Sequence, residues 1–130
     1  MAKILIVDDD DDLRDIVAEF LAAEGHEVRA ARDGEDGLRL VAAGLPDAIL
    51  LDVEMPKLDG PGMALQMLIR NAGSERIPIV LLSGTADLSC IASEVGTRYF
   101  LGKPVAPDVL MKMLDRALRE REAPKRVAAR

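Results

Sequence analysis

Five polar side chains follow short apolar runs in this chain, and their types suggest one kind of chemistry. Asp8 and Asp9 follow the first run, and Asp52 follows the third. Ser83 follows the fourth run, and Lys103 lies two residues after the fifth. An aspartate can attack phosphorus, paired carboxylates can hold a divalent cation, and ammonium or hydroxyl groups can contact phosphoryl oxygens. The residue types therefore match the needs of phosphoryl transfer onto a carboxylate.

Asp8, Asp9 and Asp52 predict a metal site if the runs that they follow are neighbours in space. Three like charges in one place are costly unless a cation offsets them, and oxygen ligands with water suit Mg²⁺. With Mg²⁺ and the Lys103 ammonium on either side, the Asp52 carboxylate could attack an incoming phosphoryl group in line. The Ser83 hydroxyl could then donate a hydrogen bond to the product. We therefore expect Mg²⁺ as the cofactor.

Each of these residues also has an ordinary structural explanation. Residues 8–12 are all acidic, and acids before a helix often only cap it and favour the positive end of its dipole. We assign that role to Asp10, Asp11 and Asp12. The serine and the lysine, taken alone, could be ordinary turn and surface residues. Only the occurrence of all of them after strand-like runs favours a site.

Short apolar or β-branched runs predict the strands that position these side chains, over residues 4–7, 28–31, 48–51, 79–82 and 99–101. Segments with helical spacing alternate with the runs. The clearest apolar stripe comprises Leu13, Ile16, Val17, Phe20 and Leu21, and Gly25 is predicted to end that helix. Further helices are predicted around residues 38–41, closed by Gly44, and around 63–68, over 86–95 and over 109–118.

This alternation predicts an α/β fold with a parallel sheet and helices on both faces. Residues 48–51 are apolar throughout, as expected of a strand covered on both sides. Five strands in this length suit the flavodoxin-like, doubly wound order 2-1-3-4-5, in which ligands bind beyond the carboxyl ends of the strands. That order brings the polar side chains together at one edge of the sheet.

Composition limits the classes of protein that remain. The 130 residues suit one domain, and a net charge of -6 argues against direct binding of nucleic acid or anionic membranes. The first apolar run is too short to span a bilayer, and a single cysteine, Cys90, fits a reducing compartment. The only histidine, His26, argues against a zinc site. We expect a cytoplasmic protein with a domain over 1–122 and a short, flexible basic tail over 123–130.

Four motifs resemble those of the receiver domains of two-component response regulators. They are ILIVDD at 4–9, LLDVEMPKLDG at 50–60, LSG at 82–84 and Lys103-Pro104. The resemblance covers roughly residues 3–120. Any one motif would be weak evidence, but the set is specific. Single-domain chemotaxis regulators are similar in size.

The resemblance implies roles for the acids at the strand ends. Asp52 is implied to be the phosphoacceptor, and Asp9 and Asp52 to bind Mg²⁺ directly. Asp8 is implied to assist, and the backbone carbonyl of Glu54 to complete the set of protein ligands. Phosphotransfer and dephosphorylation are then self-catalysed, so the chain is expected to be a signalling protein and not a conventional enzyme.

The resemblance also implies a switch between the phosphorylation site and one face of the domain. Ser83 and Lys103 are expected to contact the phosphoryl oxygens, and Ser83 to act with the aromatic Phe100, three residues before the lysine. The sequence departs from the family pattern at two places. The fourth predicted helix looks two residues short, and Gly102 replaces a larger residue, which could loosen the placement of Lys103.

The partners implied are a sensor histidine kinase or histidine phosphotransfer protein as donor, and a downstream protein target. The target is expected to recognise the face formed by the fourth helix, fifth strand and last helix. A donor helix is expected to dock on the exposed side of the first helix, where Arg14 and Glu19 are predicted to lie away from the apolar stripe.

Other functions stay open from sequence alone. A phosphorylation-independent, receiver-like binding module is compatible with the short fourth helix and Gly102. Hydrolases of the haloacid dehalogenase type also use an aspartate nucleophile and Mg²⁺, but their second aspartate corresponds to Glu54 here. A nucleotide-binding domain is disfavoured because neither G-x-G-x-x-G nor G-x-x-x-x-G-K-[ST] occurs.

Overall fold

The strands form one parallel sheet in the order predicted from the sequence. In a computed structural model that describes residues 2–52, 68–84 and 88–124, the strand order is β2-β1-β3-β4-β5. The strands are β1 (Lys3–Asp8), β2 (Glu27–Ala31), β3 (Ala48–Asp52), β4 (Ile79–Ser83) and β5 (Tyr99–Gly102). Each contains a predicted run and extends it by one or two residues. The flavodoxin-like α/β fold is thus confirmed.

Helices alternate with the strands. They are α1 (Asp11–Ala23), α2 (Gly34–Ala43), α3, described over residues 68–74, α4 (Leu88–Val95) and α5 (Pro107–Glu120). The predicted beginnings of the third and fourth helices, around 63–67 and at 86–87, lie outside the described residues. Within the described ranges, no helix has the length and apolar character needed to cross a membrane.

The two faces of the sheet bury separate apolar clusters because successive strand residues point to opposite sides. On β1, Leu5 and Val7 pack with residues of α2, α3 and α4, whereas Ile4 and Ile6 pack with residues of α1 and α5. The central strands β3 and β4 are buried along their whole length. This double coverage explains the uninterrupted apolar run at 48–51.

Helix α1 buries most of the predicted stripe, since Val17, Phe20 and Leu21 belong to one apolar cluster, but the prediction is wrong for Ile16. Leu21 is fully buried, and Val17 and Ala18 pack against the same cluster, whereas Ile16 is 62% exposed. The buried face therefore also includes positions 14 and 18, which share the i, i+3, i+4, i+7 spacing with positions 17 and 21. Arg14 occupies the first of these positions, so its predicted place on the exposed side of the helix is wrong.

The chain after α5 contacts the edge of the sheet opposite the strand ends that carry the polar residues. Arg121 donates to the Asp47 carboxylate at 3.3 Å, and that carboxylate also accepts from the Lys3 backbone at 2.8 Å. Glu122 forms an ion pair with Arg98, just before β5. These contacts fasten the end of α5 beneath β1, β3 and β5.

Replacing Gly102 with alanine is predicted to stabilise the protein by about 0.4–1 kcal/mol, because alanine restricts the unfolded chain more than glycine does. A methyl group built at Gly102 lies 3.9 Å from Leu88 and 4.0 Å from the Ser83 carbonyl, which are ordinary contacts. Among the described glycines, only Gly25 and Gly96 adopt a positive φ. Urea denaturation of the variant measures the effect.

Gly25→Ala is the matched control for that substitution. A methyl group at Gly25 meets nothing within 4 Å, but φ there is +91°, a conformation that L-residues rarely adopt. We expect this variant to lose about 1 kcal/mol of stability or more. A loss of stability in Gly102→Ala comparable to that in Gly25→Ala would show that β5 requires the glycine.

Candidate functional site

Two carboxylates lie on neighbouring buried strands at the carboxyl edge of the sheet. Asp8 ends β1 and Asp52 ends β3, and the parallel register pairs these two residues directly. The two-residue period places both on the face that also carries Ile6 and Leu50. Asp8 is 3% exposed and Asp52 is 6% exposed. The sheet therefore holds two acids side by side with little access to water.

Lys103 provides the positive charge at this pair. Its Nζ atom lies 2.6 Å from Oδ1 of Asp52, and its backbone amide donates to the Ser83 carbonyl at 2.9 Å. The second carboxylate oxygen of Asp52, Oδ2, is buried and has no hydrogen-bond partner among the residues that the structure describes. Buried polar atoms in folded proteins nearly always have a partner. One oxygen of the Asp52 carboxylate is thus paired with Lys103, whereas the other has no hydrogen-bond partner in the described ranges.

These surroundings raise the pKa of Asp52 to about 7. Burial is the largest cause, because it removes the water that would stabilise the charged form. The neighbouring Asp8 carboxyl raises the pKa further, whereas the Lys103 ammonium opposes both effects. The lysine does not fully compensate the two carboxylates. A second cation at this place would favour the ionised form of Asp52.

The loop between β1 and α1 is held by its own hydrogen bonds. The Asp10 amide donates to Oδ1 of Asp8 at 2.9 Å, and the Asp10 carboxylate accepts from the Leu13 amide at 3.1 Å, capping α1. Arg14 donates from Nη1 to the backbone carbonyl of Asp8 at 2.9 Å. Asp9, between these bonded residues, is exposed. The N-cap role expected of Asp10 is confirmed.

Ser83 and the aromatic residues lie along the neighbouring strands. Ser83 is fully buried at the end of β4 and pairs in register with Gly102 of β5. Tyr99 is fully buried, with its hydroxyl donating to Glu120 at 2.9 Å, while the next residue, Phe100, is 37% exposed. A direct chain of backbone contacts therefore runs from the end of β4 into β5, and Phe100 is on the solvent side.

The structure brings some of the predicted site residues together and leaves others apart. Asp8, Asp52 and Lys103 form one cluster, and Ser83 lies at the adjacent strand end. In the described ranges, no three acidic, histidine or cysteine side chains approach closely enough to form a metal-binding group, so Asp9 does not join the pair. Glu54 lies outside these ranges. The metal roles of Asp8, Asp9, Asp52 and Glu54 stay predictions.

The donor set nevertheless suits a hard divalent cation. The two buried carboxylates supply only oxygen atoms, one of which has no partner within the described ranges, and Mg²⁺ prefers one or two carboxylates together with water. Sequence reasoning missed Arg14 as part of this region. Its position one turn before Val17 and Ala18 on the buried face was the signal that could have identified it.

Comparison with known proteins gives one consistent result. The family model for the response regulator receiver domain matches residues 4–115. The response regulator MprA of Mycolicibacterium vanbaalenii is 36% identical over 124 residues, which are 94% of this chain and 52% of that protein. The chain thus spans about half the length of such curated relatives.

The chain also resembles solved structures of similar fold and covers nearly their whole length. The receiver domain of NtrX from Brucella abortus superposes with a TM-score of 0.76 at 34% identity, covering 89% of this chain and 98% of that one. The chemotaxis protein CheY4 of Vibrio cholerae gives a TM-score of 0.75 at 31% identity, again covering 89% and 98%.

Asp52→Asn is predicted to stabilise the metal-free protein increasingly as the pH rises. Between the unfolded pKa near 4 and the folded pKa of about 7, the folded protein retains a proton that the unfolded chain has released. The stability that this group contributes is complete below about pH 4 and is lost as the pH rises through about 7. The free-energy difference between variant and wild type should grow by about 2–4 kcal/mol across that window.

Urea denaturation at several pH values, with a chelator present, measures this difference. Asp115→Asn on the exposed side of α5 is the matched control and should show no comparable trend. Saturating Mg²⁺ should shrink the difference, because a cation offsets the charge on Asp52. A difference that does not change with pH would contradict the raised pKa.

Proposed function

The chain belongs to the response regulator receiver domain family, and on that premise we propose that it is switched by phosphorylation of Asp52 in a Mg²⁺-dependent reaction. The family is a signalling family and its members are not conventional enzymes. The proposed phosphodonor is a sensor histidine kinase or a histidine phosphotransfer protein. The proposed output is a change in the face formed by α4, β5 and α5, which regulates a downstream protein.

The state of the Asp52 carboxylate supports this proposal most strongly. One oxygen is bound to Lys103, and the other is buried beside a second acid, with no hydrogen-bond partner in the described part of the chain. Most buried oxygens of structural ion pairs have a second hydrogen-bond partner. A carboxylate in this condition is stabilised by a bound cation, which offsets its charge, and the same cation would offset the further negative charge that a phosphoryl group adds.

Asp8, Asp9 and Asp52, together with the Glu54 backbone carbonyl, are the proposed protein ligands of Mg²⁺. When bound, the ion would neutralise oxygens of the incoming phosphoryl group and draw that group against the acidic site. The Asp8 carboxylate is fixed for such a role because the Asp10 amide already binds its Oδ1. Asp8 and Asp52 would fill only part of the coordination sphere of the ion, so other positions would stay open for water and phosphate oxygens.

The reaction forms one bond and breaks another at phosphorus. An oxygen of the Asp52 carboxylate attacks the phosphoryl group as the bond from phosphorus to the donor nitrogen, or to the oxygen of a small donor, breaks on the opposite side. The donor leaves with the bonding electron pair. Lys103, already 2.6 Å from Asp52, then contacts the phosphoryl oxygens, and the Ser83 hydroxyl donates to one of them.

The proposed output follows the strand contacts beyond Ser83. A shift of Ser83 toward the phosphoryl group acts on β5 because its carbonyl binds the Lys103 amide and its Cα pairs with Gly102. Phe100 lies two residues earlier on β5 and is partly exposed, so an inward rotamer is its proposed active form. Phosphorylation biases this equilibrium only by contacts that differ between the two forms.

The remaining parts of the proposal concern partners and location. The proposed histidine donor belongs to another chain, because His26 lies before β2 and its Nδ1 atom accepts a hydrogen bond from the Ala2 amide. The charge of -6 supports a protein target over direct contact with nucleic acid. We retain the sequence-based expectation of a cytoplasmic protein, with a domain over 1–122 and a short tail over 123–130.

Incubation with acetyl phosphate and Mg²⁺ is predicted to add one phosphoryl group to the wild-type protein. Asp52→Asn should acquire none, because a carboxamide keeps the shape of the side chain but not its nucleophilic charge. A chelator should suppress the wild-type reaction. Intact mass measurement followed by mapping of the modified peptide distinguishes these results.

Asp115→Asn is the matched control in this assay and should be labelled like the wild type. A phosphoryl group on a residue other than Asp52 would show that the acceptor has been wrongly assigned. Continuous hydrolysis of the donor without an accumulated product would favour a hydrolase. Absence of labelling in every condition, including incubation with a histidine kinase, would favour the phosphorylation-independent binding module.

A further inference from the structure

We propose that Arg14 is a positioning residue for the metal-binding acids, which it holds in place through the backbone of the β1–α1 loop. This inference rests on the proposed function of the site. Arg14 touches neither Asp52 nor Lys103 through any described hydrogen bond, and its role is exerted through Asp8. The spacing of Arg14 places it on the buried face of α1.

The position of Arg14 is unusual for an arginine. It lies in the first turn of α1, next to the end of β1, on the helix face that continues with Val17, Ala18 and Leu21. Its side chain is only 16% exposed, because it folds back from α1 over the end of β1. Nη1 donates to the Asp8 carbonyl at 2.9 Å, and Nη2 forms an ion pair with Asp11. The planar guanidinium thus binds both sides of the loop at once.

Three hydrogen bonds together fix the path of the loop. Arg14 holds the carbonyl of Asp8, the Asp10 amide holds the carboxylate of Asp8, and the Asp10 carboxylate caps α1 at Leu13. Asp9 is the one loop residue between these anchors, and its side chain is exposed. The anchors therefore determine where the Asp9 carboxylate can reach, and they keep the Asp8 carboxylate beside Asp52.

An electrostatic role and a positioning role of Arg14 predict opposite changes in Mg²⁺ affinity when its side chain is removed. As a nearby cation, the guanidinium repels Mg²⁺, so its loss would tighten Mg²⁺ binding if charge alone mattered. As a clamp on the ligand loop, its loss releases Asp8 and Asp9 and weakens binding. Residues that orient metal ligands typically contribute about 10–100-fold in affinity. The sign of the change therefore identifies the role.

Arg39 provides a closely matched control on α2. It forms an ion pair with Asp36 at the same i, i+3 spacing as Arg14 and Asp11. Its side chain is 70% exposed, and its described side-chain bond goes only to that partner. Arg39→Ala consequently removes the same charge and the same kind of ion pair without releasing the β1–α1 loop.

The experiment is a titration of the purified chain with Mg²⁺ alone. We expect Arg14→Ala to bind Mg²⁺ about 10-fold more weakly than the wild type, and Arg39→Ala to bind it equally well. Asp9→Ala, which removes a proposed ligand, gives the reference for a large loss. Without Mg²⁺, the Asp10 amide of Arg14→Ala should exchange its hydrogen faster than in the wild type or Arg39→Ala.

A second readout separates positioning from a direct part in the reaction. With acetyl phosphate as donor, Arg14→Ala should need about 10-fold more Mg²⁺ for half-maximal labelling of Asp52 but should reach the wild-type rate at saturation. Should Arg14→Ala fail to fold, Arg14→Lys replaces it, because lysine keeps the charge but has one ammonium in place of the planar fork.

Equal or tighter Mg²⁺ binding in the folded variant would overturn the proposal, as would a lower maximal rate at an unchanged Mg²⁺ requirement. Failure of the proposed function would look different, since the wild type would then accept no phosphoryl group on Asp52. The Mg²⁺ titration and the Asp10 amide exchange would still report on Arg14 in that case.

Discussion

Repulsion between two buried carboxylates is the interaction around which the site is organised. The sheet creates it, because the parallel register of β1 and β3 pairs Asp8 with Asp52 on one face, where apolar packing excludes water. Lys103 offsets part of the charge, but one Asp52 oxygen has no hydrogen-bond partner among the described residues, and the pKa of the carboxyl group is raised to about 7. The repulsion lowers the stability of the folded chain, and a cation bound at the pair would restore it.

Burial of the central strands on both faces also explains why much of the fold and the site could be predicted from the sequence. Strands buried on both faces are short apolar runs, and their order follows from the alternation with helices. The first polar residue after each run then marks the carboxyl edge of the sheet. This reasoning placed Asp8, Asp52, Ser83 and Lys103 correctly at neighbouring strand ends, although it could not give the distances or the unsatisfied oxygen.

Tertiary contacts decided what the sequence could not. The apolar pattern of α1 correctly identified Val17, Phe20 and Leu21 as residues of the buried face, but only the packing of the helix on the sheet shows that Ile16 is exposed. That packing turns Arg14 inward, where a hydrogen bond to the Asp8 backbone compensates its burial. The pattern of residue types does not show which backbone carbonyl an arginine will bind. Gly102 likewise needed the structure, which shows that it has room for a side chain.

Direct titration of the Asp52 carboxyl by ¹³C NMR, with and without Mg²⁺, tests the central account most closely. In the metal-free protein, the account predicts a midpoint near pH 7 that moves to lower pH when Mg²⁺ is added, because the cation favours the charged form. Lys103→Met should move the metal-free midpoint upward, since the opposing ammonium is lost. An ordinary midpoint near pH 4 that does not respond to Mg²⁺ would contradict the account.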